Sequence, residues 1–179
     1  MAANFDKNYP SQYEGFLTLK NGKEIFVRPI RSKDEPLIVD LSQKLSARSF
    51  YLRFLWRVHA IPKDLLYRFT HVNYVTDFAL VAVIEEDSKE SFIAVCRYMY
   101  NLAEDTTELA LVVRDDWQNL GLGKSLLAKT VAIGKENDIS RFKTIMDPRN
   151  DRMRCIFRDL GYDEKSTIRE GLLELDIFV

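Results

Sequence analysis

The sequence predicts a single mixed α/β domain, and three observations lead to that prediction. Its 179 residues are 46% hydrophobic with a formal net charge of −1, a balance typical of a folded chain with one core. The hydrophobic period changes along the chain in the order β, ααα, βββ, α, β, α, β. No repeat, low-complexity tract or Pro/Gly/Ser-rich linker interrupts it. We expect a polar N-terminal extension over residues 1–14 and the domain over residues 15–179.

The first predicted element is a β-hairpin over residues 16–31. Two β-rich runs flank Asn21 and Gly22, a dipeptide that is the strongest short hairpin signal. The helix that follows is predicted to start at a capping box formed by Ser32 and Glu35, because these side chains can satisfy free amides at a helix start.

The remaining elements follow from the spacing of apolar residues. Leucine and aromatic residues at helical spacing predict helices over residues 46–57, 62–70, 120–137 and 153–160. Runs rich in β-branched and aromatic residues predict strands over residues 76–84, 91–100, 107–113, 141–146 and 172–179. Gly161 is placed to end the last helix, since glycine adopts the left-handed conformation that closes many helices.

Composition argues against several classes of function. A sequence pI of about 6.2 provides no general positive field for nucleic acid. Cys96 and Cys155 form no CxxC motif, and His59 and His71 cannot build a metal site alone, so we expect free thiols and no metal. The N-terminus lacks an apolar signal core, and the apolar run over residues 78–84 is too short to span a bilayer. We expect a soluble cytoplasmic protein without a nucleic-acid or membrane partner.

A glycine-containing turn over residues 118–125 is the most informative local pattern. Two of only seven glycines lie there, between a predicted strand and a predicted helix. Residues without a Cβ let backbone N–H groups converge, and a helix start adds its positive dipole end, so a phosphate or pyrophosphate is expected. Gln118 stands where a P-loop needs glycine, and Leu126 stands where a dinucleotide fingerprint needs one. A tight turn without a ligand is the alternative.

The pattern that fits is Gln-x-x-Gly-x-Gly, formed by Gln118, Gly121 and Gly123. It resembles motif A of the GNAT acyl-CoA-dependent N-acetyltransferases. Segments similar to the bacterial protein-lysine acetyltransferase branch of that family lie in order at residues 25–31, 48–54, 68–70, 93–98 and 107–113. The resemblance extends from about residue 15 to residue 179. It implies a GNAT-like fold, with mostly antiparallel N-terminal strands and a splayed strand pair that binds acyl-CoA.

The same resemblance implies acetyl-CoA as the acyl donor, lying between the strand that ends at Val113 and the strand over residues 141–146. Backbone groups of Leu111, Val112 and Val113 are implied to pair with the pantetheine arm. The pyrophosphate is implied to contact Gln118, Asn119, Leu120, Gly121, Leu122, Gly123, Lys124 and Ser125. Lys124 adds a cation beside the dipole end, although a solvated helix lysine is the alternative. A side chain added at Gly123 is expected to enter the pyrophosphate position.

Three further cofactor residues are implied on the last helix. Asn150 resembles the GNAT asparagine that bonds the CoA arm, and an N-cap is its alternative role. Met153 and Phe157 follow it on the same helix. Many GNAT enzymes carry a proton-donating tyrosine where Phe157 stands, so here that role is empty or filled by water. A thiol pKa of about 8.5 still makes the thiolate a competent leaving group.

Glu108 is the candidate catalytic residue. Alternation places Leu109, Leu111 and Val113 on one face of the strand, and Glu108, Ala110 and Val112 on the other. If the strand is central, Glu108 faces a covered surface or a cleft. A lysine acceptor arrives protonated, with a pKa of about 10.4, and Glu108 is expected to take that proton directly or through water. The matching glutamate in the lysine-acetyltransferase branch is the proposed general base, and a salt bridge with Arg97 or Arg114 is the alternative.

Other reactive or charged side chains are interpreted as structural. Cys96 is expected in the core, and Cys155 lies on a helix without a histidine in local reach, which argues against a covalent acyl-cysteine. Arg48, Arg53 and Arg57 form a basic stripe that either meets an acidic substrate or is a solvated helix face. The second interpretation is favoured.

The predicted reaction is transfer of acetyl from acetyl-CoA to a primary amine, by direct attack through a tetrahedral intermediate. The resemblance implies a lysine side chain of a protein as the acceptor. A small-molecule amine acetyltransferase is one alternative, and a non-catalytic acyl-CoA-binding sensor or interaction module is another. The sequence leaves a monomer and a homodimer equally open.

Overall fold

An eight-stranded sheet, in the order β1-β2-β3-β4-β5-β6-β8-β7, organises the chain. The structure is a computed structural model that describes residues 8–55 and 60–179. The strands are β1 (Gly15–Thr18), β2 (Glu24–Pro29), β3 (Asp77–Glu86), β4 (Lys89–Asn101), β5 (Thr106–Val113), β6 (Arg141–Met146), β7 (Asp163–Arg169) and β8 (Leu172–Phe178). The helices are α1 (Glu35–Gln43), α2 (Ala47–Phe54), α3 (Lys63–Thr70), α4 (Leu122–Glu136) and α5 (Asp151–Leu160). Neighbouring strands are antiparallel except β5 and β6, so the predicted mixed α/β class is confirmed.

The predicted hairpin is confirmed, but the predicted capping box is wrong. At the hairpin turn, Gly22 has a φ of +81°, and the Leu19 amide donates to the Lys23 carbonyl at 2.8 Å. Helix α1 begins only at Glu35, one residue after Asp34. A capping box forms one residue earlier, between Arg31 and Asp34, at the short 3-10 turn Ser32–Asp34 that leads into α1. The Asp34 carboxylate accepts the Arg31 amide at 2.8 Å and also pairs with the buried Arg28.

The core lies on both faces of the central strands. Residues 78–83 of β3 and 91–98 of β4 are buried, and Cys96 among them is fully buried, as predicted for a core cysteine. Helix α4 packs on the sheet face that carries Leu111 and Val113. Helix α3 packs on the opposite face, where the Arg97 guanidinium lies over the Phe69 ring. The predicted alternation of β5 is therefore confirmed.

Two further element predictions need correction. Helix α2 ends at Phe54, because Leu55 adopts a left-handed φ of 60°, and Arg57 and His59 lie outside the described residues. Strand β7 was not predicted from the sequence. All seven of its residues are exposed, so no burial pattern marks it, and pairing with β8 determines its conformation.

Residues 8–14 of the N-terminal extension pack onto the domain. The Tyr13 ring meets Phe78 edge-on at a centroid distance of 5.8 Å, and its hydroxyl donates to Glu136 at 2.8 Å. The Tyr9 hydroxyl donates to Glu14 at 2.6 Å. This part of the extension therefore contributes to the same fold as the strands.

Across residues 8–55 and 60–179, no helix has the length and apolar character needed to cross a membrane. Within the same ranges, no group of three His, Cys, Asp or Glu side chains is arranged to hold a metal ion.

Candidate active site

Strands β5 and β6 form a cleft in the middle of the sheet. They are parallel and pair only at Glu108 and Lys143. Strand β4 covers the other edge of β5 as far as Val113, and β8 covers the other edge of β6 along its whole length. Beyond Glu108, no strand of the described chain pairs with the inner edge of residues 109–113. The backbone N–H and C=O groups on that edge are available to a ligand, except the Val113 carbonyl, which accepts a hydrogen bond from the Gln118 side chain.

The turn after β5 presents backbone amides at the far end of this cleft. Gly121 is the N-cap of α4, with a left-handed φ of +87°. Helix α4 has no side-chain cap, so the amides of Leu122, Gly123 and Lys124 lack the acceptors that later turns have within the helix. The Lys20 amide donates to the Leu120 carbonyl at 2.9 Å and fixes the turn against the β1–β2 hairpin. These features are typical of an anion-binding helix start.

Gly123 has a different local role from the one predicted. A Cβ at this position would lie 3.3 Å from Leu111, 3.4 Å from Val113 and 3.5 Å from Ile156. The missing side chain therefore allows α4 to pack closely on β5 and α5. A larger residue would first collide with these three apolar side chains, so the expectation that it would enter the pyrophosphate position is corrected.

The side chain of Gln118 stabilises the turn through hydrogen bonds to protein groups. Its amide nitrogen donates to the Val113 carbonyl at 2.9 Å and to the Ser49 hydroxyl at 3.2 Å, while Arg152 donates to its amide oxygen. One side chain thus links β5, α2 and α5. The side chain of Lys124 is 45% exposed, and its Nζ atom lies 3.5 Å from Oδ2 of Asp159. This arrangement agrees with the alternative that Lys124 is an ordinary solvent-exposed lysine of the helix.

Helix α2 lies across the end of the cleft and contacts both of its sides. Asp115, just after β5, accepts the Ser46 amide at 2.9 Å and the hydroxyls of Ser46 and Ser49 at 2.8 and 2.7 Å. Burial raises the pKa of Asp115, but these hydrogen bonds outweigh it and lower the pKa overall. The Tyr51 hydroxyl donates to Asp147, just after β6, at 3.4 Å. Sequence reasoning missed these residues, because no local pattern shows which distant backbone they meet.

The three remaining predicted residues lie at the N-cap of α5 and along the helix. The Asn150 side chain accepts the Met153 amide at 3.3 Å, which is the N-cap alternative. Met153 is 9% exposed and Phe157 is 1% exposed, so both pack into the core beneath the cleft. Cys155 is exposed on the same helix, where its sulfur accepts a hydrogen bond from Arg158 at 3.2 Å.

Glu108 lies at the point where β5 and β6 separate. Its carboxylate is exposed rather than covered, which corrects the covered-surface expectation, and it accepts the Asn101 side-chain amide at 2.8 Å. The alternative salt bridges are not formed. Arg114 pairs with Glu86 at 2.6 Å, and Arg97 donates to the Phe69 carbonyl at 3.1 Å.

Comparison with known proteins identifies the class to which this fold and cleft belong. The profile of the acetyltransferase (GNAT) domain matches residues 24–163, which is most of the chain. The chain therefore belongs to the GNAT family of acyl-CoA-dependent N-acetyltransferases, as the resemblance in its motifs indicated. The GNAT-like fold with its splayed strand pair is likewise confirmed.

Two similar proteins and one structure of the same fold accompany this match. The crystal structure of the GNAT domain of S. lividans PAT matches with a TM-score of 0.87 and 29% identity, over 96% of this chain and 100% of that one. Acetyltransferase PA5475 of Pseudomonas aeruginosa is 26% identical over 145 residues, 81% of this chain and 78% of that protein. The structure of yncA, a putative acetyltransferase from Salmonella typhimurium with its cofactor acetyl-CoA, shares the fold. It has a TM-score of 0.63 and 13% identity, over 86% of this chain and 91% of that one.

Proposed function

We propose that this enzyme transfers acetyl from acetyl-CoA to a primary amine, and that the acceptor is a lysine side chain of a protein. One observation carries the proposal. The sheet opens at Glu108, and the open edge of β5 leads from that carboxylate to the uncapped start of α4. A carboxylate and an anion cradle thus lie at the two ends of one backbone edge.

The length of that edge suits an extended donor. From Glu108 to Val113 an extended strand covers roughly 17 Å. We place the pyrophosphate of acetyl-CoA at residues 118–125, where the helix dipole and amides favour an anion. The pantetheine arm then runs along Leu111, Val112 and Val113 and brings the thioester near Glu108. Asn150 borders the α5 side of the same cleft, and Met153 and Phe157 pack beneath it.

The reaction needs little more than these groups. Glu108 takes a proton from the acceptor ammonium, directly or through one water, and frees the nitrogen lone pair. The nitrogen forms a bond to the thioester carbonyl carbon, and a backbone N–H of β5 stabilises the oxyanion. The attacking nitrogen then loses its second proton to water, and the carbon–sulfur bond breaks. Because Phe157 has no proton to give, the CoA thiolate, with a pKa of about 8.5, takes its proton from water.

The first experiment mixes the chain with isotopically labelled acetyl-CoA and a soluble bacterial lysate and locates the label by mass spectrometry. Label on particular protein lysines is the expected result. Label only on small amines would instead make this a small-molecule acetyltransferase, and CoA binding without any label would make it a sensor. We propose the cytoplasm as its location, since Cys96 and Cys155 are both free thiols.

Replacing Glu108 with glutamine tests the general base directly. Glu108→Gln keeps the hydrogen-bond geometry with Asn101 but cannot accept the proton, so turnover is expected to fall at least about tenfold, and up to ~10⁴-fold. Affinity for acetyl-CoA, measured by calorimetry, should not change. Glu85→Gln, an exposed glutamate on β3, is the matched control. An unchanged rate in Glu108→Gln would refute the base assignment.

A further inference from the structure

Three arginines are buried in the described chain, and one of them lacks the anions that the other two have. Arg28 is 0% exposed and binds Asp34 and Glu90, and Arg114 is 6% exposed and binds Glu86 and Asp116. Arg97 is 3% exposed, and its polar contact is with the Phe69 carbonyl. Its Nε atom is buried without a hydrogen-bond partner, as is that of Arg28, but Arg97 has no ion pair to compensate for its charge. Buried charges are normally paired, so this position is short of an anion.

A second unpaired arginine lies beside it. Arg53 of α2 is partly buried, and its guanidinium carbon is 5.8 Å from the centre of the Phe69 ring. The guanidinium carbon of Arg97 is 4.1 Å from the centre of the same ring. None of the ion pairs of the described residues includes Arg53 or Arg97. Two cationic groups therefore border one aromatic ring without a bound carboxylate.

The electrostatics of the pair agree with this geometry. Burial, reinforced by the charge of Arg53, lowers the pKa of Arg97 to about 9. Burial also lowers the pKa of Arg53 to about 10. The hydrogen bonds of Glu86, in contrast, raise the pKa of Arg114. Burial thus destabilises the charged forms of Arg53 and Arg97. The carboxylates bound to Arg114, in contrast, stabilise its charged form.

Nearby carboxylates are already engaged elsewhere. Asp77 of β3 accepts the Tyr100 amide at 3.0 Å, and Glu108 accepts the Asn101 side chain at 2.8 Å. Glu108 lies on the same face of the sheet as Arg97, because Arg97 pairs with Ala110, two residues along β5. The unpaired arginines therefore border the Glu108 side of the cleft, on the face opposite to α4.

From this arrangement we infer that Arg53 and Arg97 form a binding site for a carboxylate of the acceptor molecule. The inference rests on the proposed function, since it places the acceptor beside Glu108. Guanidinium groups bind carboxylates through paired N–H donors, and the pair supplies the charge that such a ligand complements. A protein acceptor would provide a glutamate or aspartate close in sequence to the modified lysine. A free amino acid would provide its own α-carboxylate.

Matched peptides distinguish these sources. Each peptide is acetylated at its N-terminus, amidated at its C-terminus, and contains one lysine. In a series of peptides, a single glutamate occupies each position from two residues before the lysine to two residues after it. For each of these peptides, a control peptide has glutamine at the same position. The wild type is expected to prefer glutamate about tenfold in kcat/KM at one or more positions, the gain of a charged hydrogen bond. A preference confined to free lysine over lysinamide would assign the site to a small acceptor instead, against the protein-acceptor reading.

Variants locate the preference on the arginine pair. In Arg53→Gln and in Arg97→Met the ratio of kcat/KM between glutamate and glutamine peptides is expected to fall to about one. Arg48→Gln, an exposed arginine on the same helix α2, should retain the wild-type ratio. Arg97→Met should not lower the melting temperature, because it removes an uncompensated buried charge while keeping an apolar side chain. A wild-type ratio near one at every position overturns the inference, as does a preference that both variants retain.

A measurement without acetyl-CoA separates this inference from the proposed function. The glutamate peptides are expected to raise the melting temperature of the wild type more than the glutamine peptides do, and to lose that advantage in Arg53→Gln. This difference in melting would support the carboxylate site even if no peptide were acetylated. A lack of acetylation would then count against the proposed function and not against the site. If all peptides were acetylated at equal rates and shifted the melting temperature equally, the proposed acetyltransferase function would stand and the carboxylate site would be refuted.

Discussion

At the scale of single residues, position 121 requires glycine for two separate reasons. Its φ of +87° disfavours any side chain, and a Cβ there would lie 3.3 Å from Cγ of Lys20. Gly22 has a similar φ of +81°, but nothing lies within 4 Å of an added Cβ. The two glycines therefore form a matched pair, in which only Gly121 combines backbone strain with a close neighbour, at the turn proposed to bind the pyrophosphate.

We expect Gly121→Ala and Gly22→Ala each to lose about 1–2 kcal/mol of unfolding free energy, the usual cost of a left-handed non-glycine residue. Only Gly121→Ala should also weaken the binding of acetyl-CoA, since relief of the Lys20 contact shifts the amides of the turn. Denaturant unfolding measures the first effect, and calorimetry measures the second. Equal acetyl-CoA affinity in the two variants would argue against a cradle at this turn.

The sequence predicted where the turn lies, but it did not predict which residues the side chains of the turn contact. Gln118, Gly121 and Gly123 marked a strand-to-helix turn from the sequence, and the structure places them there. That Gln118 donates to Val113 and Ser49 depends on contacts over 5 and 69 residues, which no local pattern encodes. The buried charge of Arg97 was hidden for the same reason, because its strand alternation does not reveal which helix covers that face.

At the scale of elements, one ion pair joins the end of β5, which borders the cleft, to the end of β3. Arg114, directly after β5, binds both carboxylate oxygens of Glu86 at the end of β3, at 2.6 and 2.9 Å. Lys44, just after α1, also binds Glu86 at 3.1 Å. The hydrogen bond from Arg114 is the main reason that the pKa of Glu86 falls to about 2. The charged form of Glu86 is therefore favoured in the folded state.

The sign of this shift predicts an acid sensitivity. A lowered folded-state pKa adds stability that is complete above about pH 4.5 and is lost as the pH falls through about 2. The melting temperature of the wild type should fall over that range. Glu86→Gln should melt lower than the wild type at pH 7 but lose less on acidification, whereas Glu85→Gln should follow the wild type. Parallel melting curves for Glu86→Gln and the wild type would contradict the assignment.

Elements with a buried face were predicted, and the exposed edge was not. Strand β6 was located with its observed bounds, since Phe142, Thr144 and Met146 alternate with less buried residues. Strand β7 has no buried residue, so its conformation comes from β8 and not from its own sequence. The capping box before α1 was predicted on Ser32 and Glu35 instead of Arg31 and Asp34, because Asp34 also pairs with a buried arginine that the local pattern does not reveal.

At the scale of the whole molecule, the sheet consists of two parts joined at one point. Strands β1–β5 form one part and β6–β8 the other, with the bridge between Glu108 and Lys143 as the ladder contact between them. Lys143 adds ion pairs at 3.2 Å to Glu104, just before β5, and to Glu174 on β8. Since the proposed donor site lies in the gap, bound acetyl-CoA would contact both parts and join them.

We therefore expect acetyl-CoA to stabilise the entire fold. At about 100 times its Kd it adds ~2.7 kcal/mol, which raises the melting temperature of a domain of this size by about 5–10 °C. Hydrogen exchange should slow most at the inner edge of residues 109–113 and in the first turn of α4, and less in the β1–β2 hairpin. Acetate at the same concentration is the control, because it lacks the CoA part that spans the gap. Protection in the hairpin alone, or no thermal shift, would place the donor elsewhere and remove the cleft from the mechanism.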